Sequence, residues 1–265
     1  MGFEIPKEPI KPASKEPRTL IIYGSPKSGK TTITAQLPNS LILEHENAGA
    51  DALEARYIYL LNPYQIEEFV NEHAKNPKML DGIETLIVDT ITQLDAWSEI
   101  VGTYDFMNKV QGKNFNVVNN ERLAHTDPRF DTVHSLGEGY GYRYSREAMI
   151  KWYSLLISTG KRVIFIAHVK DKMIQTASGD IVETTELNLT GKLKFIFASK
   201  VDAIAIFKRK GNKGYLVFEN GGDVISGSRY AYLSGKILIS ESDDAGNVKT
   251  YWENIFPHSL ANINK

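Results

Sequence analysis

Short runs of uninterrupted apolar residues alternate along this chain with longer stretches in which apolar positions return every three or four residues. Thr19-Leu20-Ile21-Ile22-Tyr23, Leu41-Ile42-Leu43, Tyr57-Ile58-Tyr59-Leu60-Leu61, Thr85-Leu86-Ile87-Val88-Asp89, Arg162-Val163-Ile164-Phe165-Ile166-Ala167, the run from Val201 to Phe207, and Gly214-Tyr215-Leu216-Val217-Phe218 are of the first kind. They are rich in β-branched residues and too short for helices, which predicts strands buried on both faces. Ile66, Phe69, Val70 and His73 predict an amphipathic helix over Tyr64–Lys75. Ile91, Leu94, Trp97 and Val101 predict a second helix, and Met149, Trp152, Tyr153 and Leu156 a third over Ser145–Thr159. A short helix is expected over Thr32–Leu37, ended by Pro38. This alternation predicts an α/β fold: a mostly parallel twisted sheet with helices on both faces and antiparallel strands near the C-terminus.

Two stretches lack such patterning. Gly102–Tyr144 is rich in Asn, Gly and aromatic residues, and Val169–Lys200 carries Lys170, Lys172, Lys192, Lys194 and Lys200 among polar residues. Both are expected to be loop-rich, and long loops inside a compact domain tend to be functional. Residues 1–17, with Pro6, Pro9, Pro12 and Pro17 among lysines, predict an extended arm without a core of its own, either a solvated tail or, as the sharper alternative, an arm that docks on a neighbouring subunit through Phe3 and Ile5. Residues 18–220 hold the core. Residues 221–265 form a strand or tail extension, with weak alternation over Ser228–Ser240 and a turn at Asp243-Asp244-Ala245-Gly246-Asn247.

Candidate chemistry begins at Gly24-Ser25-Pro26-Lys27-Ser28-Gly29-Lys30-Thr31, which fits G-x-x-x-x-G-K-[ST] at every fixed position. A strand precedes it and a helix start, Thr32 onward, follows. That is the context a phosphate cradle needs: glycines let the backbone wrap a phosphate chain with its N–H groups inward, and the helix start adds its positive end. Lys30 would reach the β- and γ-phosphates, and the Thr31 hydroxyl would ligate Mg²⁺. The motif predicts an ATP and Mg²⁺ site. Asp89, at the end of an apolar strand, is the expected second magnesium group, and it also stands where the following helix would be capped. After the strand at Leu41–Leu43 come Glu44-His45-Glu46, where Glu46 is the expected water-positioning acid and Glu44 the alternative. His168 ends the strand that starts at Arg162 and would face the γ-phosphate. Phe207-Lys208-Arg209-Lys210 places three cations after a buried strand, positioned to reach a phosphate across a subunit boundary.

Composition narrows the classes. The chain has 265 residues and no cysteine, which excludes disulfides, thiolate metal sites and a cysteine nucleophile. Its six histidines show no H-x-x-x-H spacing, which argues against a zinc site. A net charge of −1 argues against a broadly basic nucleic-acid coat but leaves room for a local basic channel. No run approaches a membrane span, and Met1-Gly2-Phe3-Glu4-Ile5 lacks the pattern of a signal peptide, so a cytosolic protein with no membrane partner is expected.

Four elements in order resemble the RecA-like core ATPases: the loop ending in Lys30-Thr31, the acidic turn at Glu44-His45-Glu46, Ile87-Val88-Asp89-Thr90, and Ile164-Phe165-Ile166-Ala167-His168. The likeness spans roughly Arg18–Asn220 and is strongest to small phage RecA-like single-strand annealing and recombination proteins, through Leu136-Gly137-Glu138-Gly139-Tyr140-Gly141-Tyr142-Arg143-Tyr144. The resemblance implies that Glu46 activates water, that His168 senses the γ-phosphate, and that Lys208 and Lys210 touch a neighbour's nucleotide. It implies a ring or filament acting on single-stranded DNA, with a single-stranded-DNA-binding protein as a further partner. Arg143, Lys170, Lys172, Lys192 and Lys194 would then meet phosphates while Tyr140, Tyr142 and Tyr144 stack on bases. The competing readings are a P-loop small-molecule kinase, which would need lid arginines, and a nucleotide-gated assembly protein that barely hydrolyses ATP.

Overall fold

The computed structural model describes residues 8–9, 14–46, 49–175, 181–219 and 224–260, with the backbone alone at 172–175 and 181–184. The strands are β1 (Thr19–Gly24), β2 (Ser40–Glu44), β3 (Tyr57–Tyr59), β4 (Thr85–Asp89), β5 (Val117–Val118), β6 (Glu121–Arg122), β7 (Arg162–Gln175), β8 (Ile181–Leu187), β9 (Ala203–Lys210), β10 (Lys213–Val217), β11 (Gly227–Ser228), β12 (Lys236–Ser242) and β13 (Val248–Thr250). The α-helices are α1 (Lys30–Ala35), α2 (Gln65–Lys75), α3 (Ile91–Met107), α4 (Tyr142–Ser158) and α5 (Leu193–Lys200).

The main sheet runs β13-β12-β10-β9-β1-β7-β4-β2-β3. From β9 to β3 every pairing is parallel; β10, β12 and β13 extend it antiparallel on the β9 side, as expected near the C-terminus. Every residue of β1 and β4 is buried, which is why these segments read as continuous apolar runs. Side-chain alternation divides the core. Ile21 and Tyr23 face α2, α3, α4 and α5, whereas Leu20 and Ile22 face α1 and the C-terminal segment around Trp252, Ile255 and Phe256.

Register sets the position of the site. Gly24 pairs with His168, Asp89 with Ile166, and Glu44 with Asp89. The phosphate loop and three candidate side chains therefore leave one edge of the sheet, the C-terminal ends of its parallel strands, where ligands of open α/β sheets bind.

Three expectations need correction. The stretch 169–200 is not mainly loop. β7 continues past His168 to Gln175 and returns antiparallel as β8, and α5 follows at Leu193–Lys200. β8 pairs with β7 alone, and the ribbon carries consecutive polar residues, Lys170-Asp171-Lys172 and Glu183-Thr184-Thr185-Glu186, so the core-strand signature is lost. Residues 208–210 do not follow a strand either, because β9 runs through Lys210. The C-terminal segment is core-forming: Trp252, Ile255, Phe256 and Leu260 are buried, and the Trp252 indole donates to the Ile33 carbonyl at 2.8 Å. Removing each such large apolar side chain from water contributes roughly 1.5–3 kcal/mol.

Of the stretch 102–144 expected to be loop-rich, residues 108–141 follow an irregular path broken by the β5–β6 hairpin, while 102–107 belong to α3 and 142–144 to α4. His134 clamps the path to the helices. Its Nε2 lies 2.8 Å from Ser145 Oγ on α4, its Nδ1 lies 3.0 Å from Glu99 Oε1 on α3, and its ring stacks on Tyr142. Ser145 is buried, so this Ser–His–Glu arrangement is a structural clamp.

Candidate nucleotide site

The loop after β1 owes its path to two glycines. A side chain at Gly24 would press on the Phe207 carbonyl at 3.0 Å, and Gly29 adopts φ +100°, a left-handed conformation that L-residues avoid. α1 then begins at Lys30, two residues earlier than predicted. The Lys30 ammonium is buried and donates to the Gly24 and Ser25 carbonyls, both at 2.9 Å. Burial lowers its pKa, opposed by Asp89 and Glu46. These two bonds hold the lysine folded against its own loop, beside the cleft a phosphate chain would enter.

Thr31 donates its hydroxyl to Asp89 Oδ2 at 2.7 Å. Burial pushes the Asp89 carboxyl above its ordinary range, while the Thr31 hydroxyl and the Lys30 charge pull it back. Asp89 does not cap the next helix. Thr90 does, accepting from Gln93 N at 3.2 Å, so the carboxylate stays directed at Thr31. A hydroxyl and a carboxylate in contact form a hard oxygen donor pair that suits Mg²⁺. Among the described residues no group of three or more His, Cys, Asp or Glu is placed to hold a metal ion.

Thr90 has a second bond that the sequence did not reveal: its hydroxyl donates to Glu46 Oε1 at 2.9 Å. The His168 Nε2 lies 3.7 Å from that same oxygen. His168, then Thr90, hold the Glu46 carboxyl below its usual pKa against the opposing effect of burial, so Glu46 is a carboxylate near neutral pH. The His168 backbone N–H donates to Thr92 Oγ1 at 3.1 Å, which ties the end of the core part of β7 to the first turn of α3. Glu44 differs. Its side chain is buried, Oε2 has no partner among the described residues, and burial followed by the Asp89 charge raises its pKa to about 7. His45 points away from the cleft, edge-on to Trp97 with Nδ1 on the Leu60 carbonyl, and burial lowers its pKa to about 4. Lys27, Lys30, Thr31, Glu44, Glu46, Asp89 and His168 line one cleft of about 460 Å³.

Residues 16–230 match the family model described as an AAA domain. The chain belongs to this family. No curated protein matches it. Membership makes the Gly24–Thr31 loop part of a P-loop nucleotide-binding domain of the ATPase type.

The other predicted groups of this AAA domain are not gathered at the cleft. Lys208 and Lys210 are exposed on β9 and line no part of it. Most of the cations assigned to DNA already have partners. Lys170 Nζ lies 3.2 Å from Glu186 Oε1, Lys194 binds the other oxygen of the same carboxylate, and Arg143 pairs with Glu147 at 2.7 Å. The Lys172 side chain lies outside the described residues, as do Phe3 and Ile5. Tyr144 is buried against Phe106 and Tyr142 stacks on His134, which leaves Tyr140 and Lys192 exposed. Sequence reading missed Thr90 and Glu186. A Thr just before an apolar helical stripe is a legible cap signal, whereas its bond to Glu46 spans 44 residues, and the partners of Glu186 lie on other elements, Lys170 on β7 and Lys194 on α5. No helix among the described residues is long and apolar enough to cross a membrane.

Proposed function

We propose that this AAA domain binds ATP with Mg²⁺ and hydrolyses it, working as a RecA-like protein on single-stranded DNA in recombination, annealing or replication. The observation that carries the catalytic part is a single hydrogen-bonded edge. Thr31 meets Asp89 at 2.7 Å, and the next residue, Thr90, holds Glu46 at 2.9 Å, all beside Lys30.

Lys30 would exchange the Gly24 and Ser25 carbonyls for phosphate oxygens. Thr31 and Asp89 would hold the magnesium ion, which when bound neutralises charge on the phosphates. Glu46, ionised and fixed by Thr90, orients the attacking water by position more than by basicity. The water oxygen bonds to the γ-phosphorus, the bond to the β–γ bridging oxygen breaks, and the water proton leaves by way of Glu46 to solvent. His168 stands between this acid and α3, so loss of the γ-phosphate would be felt through Thr92 and by the β7–β8 ribbon that begins at His168.

Support for the RecA-like branch comes from the strand order, with β7 between the phosphate-loop strand and the Asp89 strand, and from His168 at Glu46. Support for DNA comes from the resemblance together with exposed Tyr140, Lys192 and Phe195 on the two segments it assigns to nucleic acid. Lys208 and Lys210, exposed and outside their own cleft, fit groups that reach a neighbour's nucleotide in a ring or filament. The test is ATP hydrolysis with and without single-stranded DNA, beside Lys30→Ala. DNA-stimulated turnover that the variant loses is the expected result. Turnover indifferent to DNA favours a small-molecule phosphotransferase, and ATP binding without turnover favours an assembly switch.

A further inference from the structure

A second cavity, of about 470 Å³, adjoins the phosphate cleft and shares Gly29 and Thr32 with it. Ile33 and Phe207, both buried, supply apolar wall. The opposite side is built by the β9–β10 turn at Gly211–Asn212 and by Ser242 and Val248, which flank the β12–β13 turn. Hydrogen bonds preorganise this side. Arg209 Nη2 donates to Ser242 Oγ at 3.0 Å, Asn212 Nδ2 donates to the Ser242 carbonyl at 3.1 Å, and Ser242 N donates to the Asn212 carbonyl at 2.8 Å. The 243–247 turn is closed by Asp243 and Asn247, whose backbones bond at 3.0 Å. Ser28 Oγ, on the phosphate loop where the loop borders this cavity, is buried with no partner among the described residues.

We propose that this cavity takes the nucleoside half of the triphosphate, with Arg209 as the side chain against which the base lies; the assignment rests on the ATP reading of the phosphate cleft. Three arguments carry it. A nucleoside is covalently joined to its phosphates, so it must lie in space continuous with theirs, and Gly29 and Thr32 form a common wall. The size falls in the range of small-molecule sites, roughly 300–1,000 Å³, and an apolar wall with a few fixed polar groups is what a base and ribose require. Strand alternation turns Phe207 and Arg209 into the cavity and Lys208 and Lys210 to the other face of β9. Among the described residues Phe207 is the one aromatic lining it and is buried in its wall, so the planar Arg209 guanidinium is the group available to stack on a base. The unpartnered Ser28 hydroxyl is placed to meet a ribose or α-phosphate oxygen.

The assignment gives β12 and β13 a role. Ser240, Ser242, Gly246 and Val248 lie beyond residue 230, where the family match ends, yet they supply a third of this cavity's lining residues. The C-terminal ribbon would complete a nucleotide site that the AAA domain only half encloses.

Calorimetric titration of the full chain with Mg²⁺-ATP and, separately, with Mg²⁺-tripolyphosphate tests this, using wild type, Arg209→Ala and the cavity-filling Val248→Trp. Wild type should bind ATP more tightly than tripolyphosphate. Both variants should lose about tenfold in ATP affinity and keep tripolyphosphate affinity within about twofold, with unchanged thermal midpoints. Equal wild-type affinity for the two ligands, unaltered ATP affinity in both variants, or parallel loss of both ligands overturns the proposal. A wild-type chain that binds neither ligand overturns the ATP reading as well.

Discussion

Glu44 and Glu46 lie two residues apart at one strand end, and their surroundings give them opposite chemistry. Glu46 receives the Thr90 hydroxyl and neighbours His168, so its charge is stabilised. Replacing it with Gln should lower ATP turnover at least about 100-fold while ATP affinity changes by less than about threefold, read by steady-state kinetics and calorimetry. Glu44 is buried with an unpartnered oxygen, and its pKa is raised to about 7 from the ordinary 4.5. The folded state therefore holds this proton more tightly than the unfolded chain. The resulting stabilisation is complete below pH 4.5 and is lost as pH rises through 7, amounting to up to about 3 kcal/mol. Glu44→Gln removes that slope, so its stability relative to wild type should improve between pH 5 and pH 8 in urea unfolding. His45, lowered to about 4, contributes the opposite slope between pH 6.5 and 4, equally in both proteins.

At the scale of elements, α3 connects the cleft to the rest of the fold. Thr90 caps it and holds Glu46, Thr92 accepts from the His168 backbone, and Asp95 accepts from Thr190 N ahead of α5. Thr90→Ala should cost about 1 kcal/mol in unfolding free energy and lower turnover by freeing Glu46, whereas Thr90→Ser should restore both. The β7–β8 ribbon carries a different balance. Despite its burial, Lys194 and Lys170 keep the Glu186 carboxyl below its ordinary pKa, and in return their charges are neutralised. If DNA follows this ribbon, Glu186→Gln frees two cations. Single-stranded DNA affinity measured by anisotropy should then rise, and the slope of log K against log salt should steepen by about 0.7 for each new phosphate contact.

Across the whole molecule, the segment around Glu16 meets the C-terminal segment at Phe256–Ser259. Glu16 is buried and accepts from Arg162 Nη2 at 3.2 Å and from the backbone N–H groups of His258 and Ser259, while the Arg162 guanidinium lies 3.8 Å over the Phe256 ring. Glu16→Ala strands that arginine and should destabilise the protein by about 3–5 kcal/mol, seen as a lower urea midpoint. None of this was legible beforehand, because Glu16 and Ser259 lie 243 residues apart and nothing local marks either as buried. The same reason hides Trp252 and Phe256: the pairs Tyr251-Trp252 and Ile255-Phe256 are too short to show a strand or helix period, and only the face of β1 opposite the α2–α4 layer makes them core. By itself the sequence determined whatever local physics writes into neighbouring residues. Continuous apolar runs specified doubly covered strands, helical spacing specified the amphipathic faces of α2, α3 and α4, and Gly24–Thr31 specified a loop that only a phosphate cradle needs. Tertiary structure decided the pairings. It chose which carboxylate at the end of β2 is charged, turned Lys170 and Lys194 inward onto Glu186, and set Arg209 rather than its flanking lysines beside the phosphate loop. Each of these depends on strand register and burial, which are set by how separate elements pack against one another and not by the order of neighbouring residues.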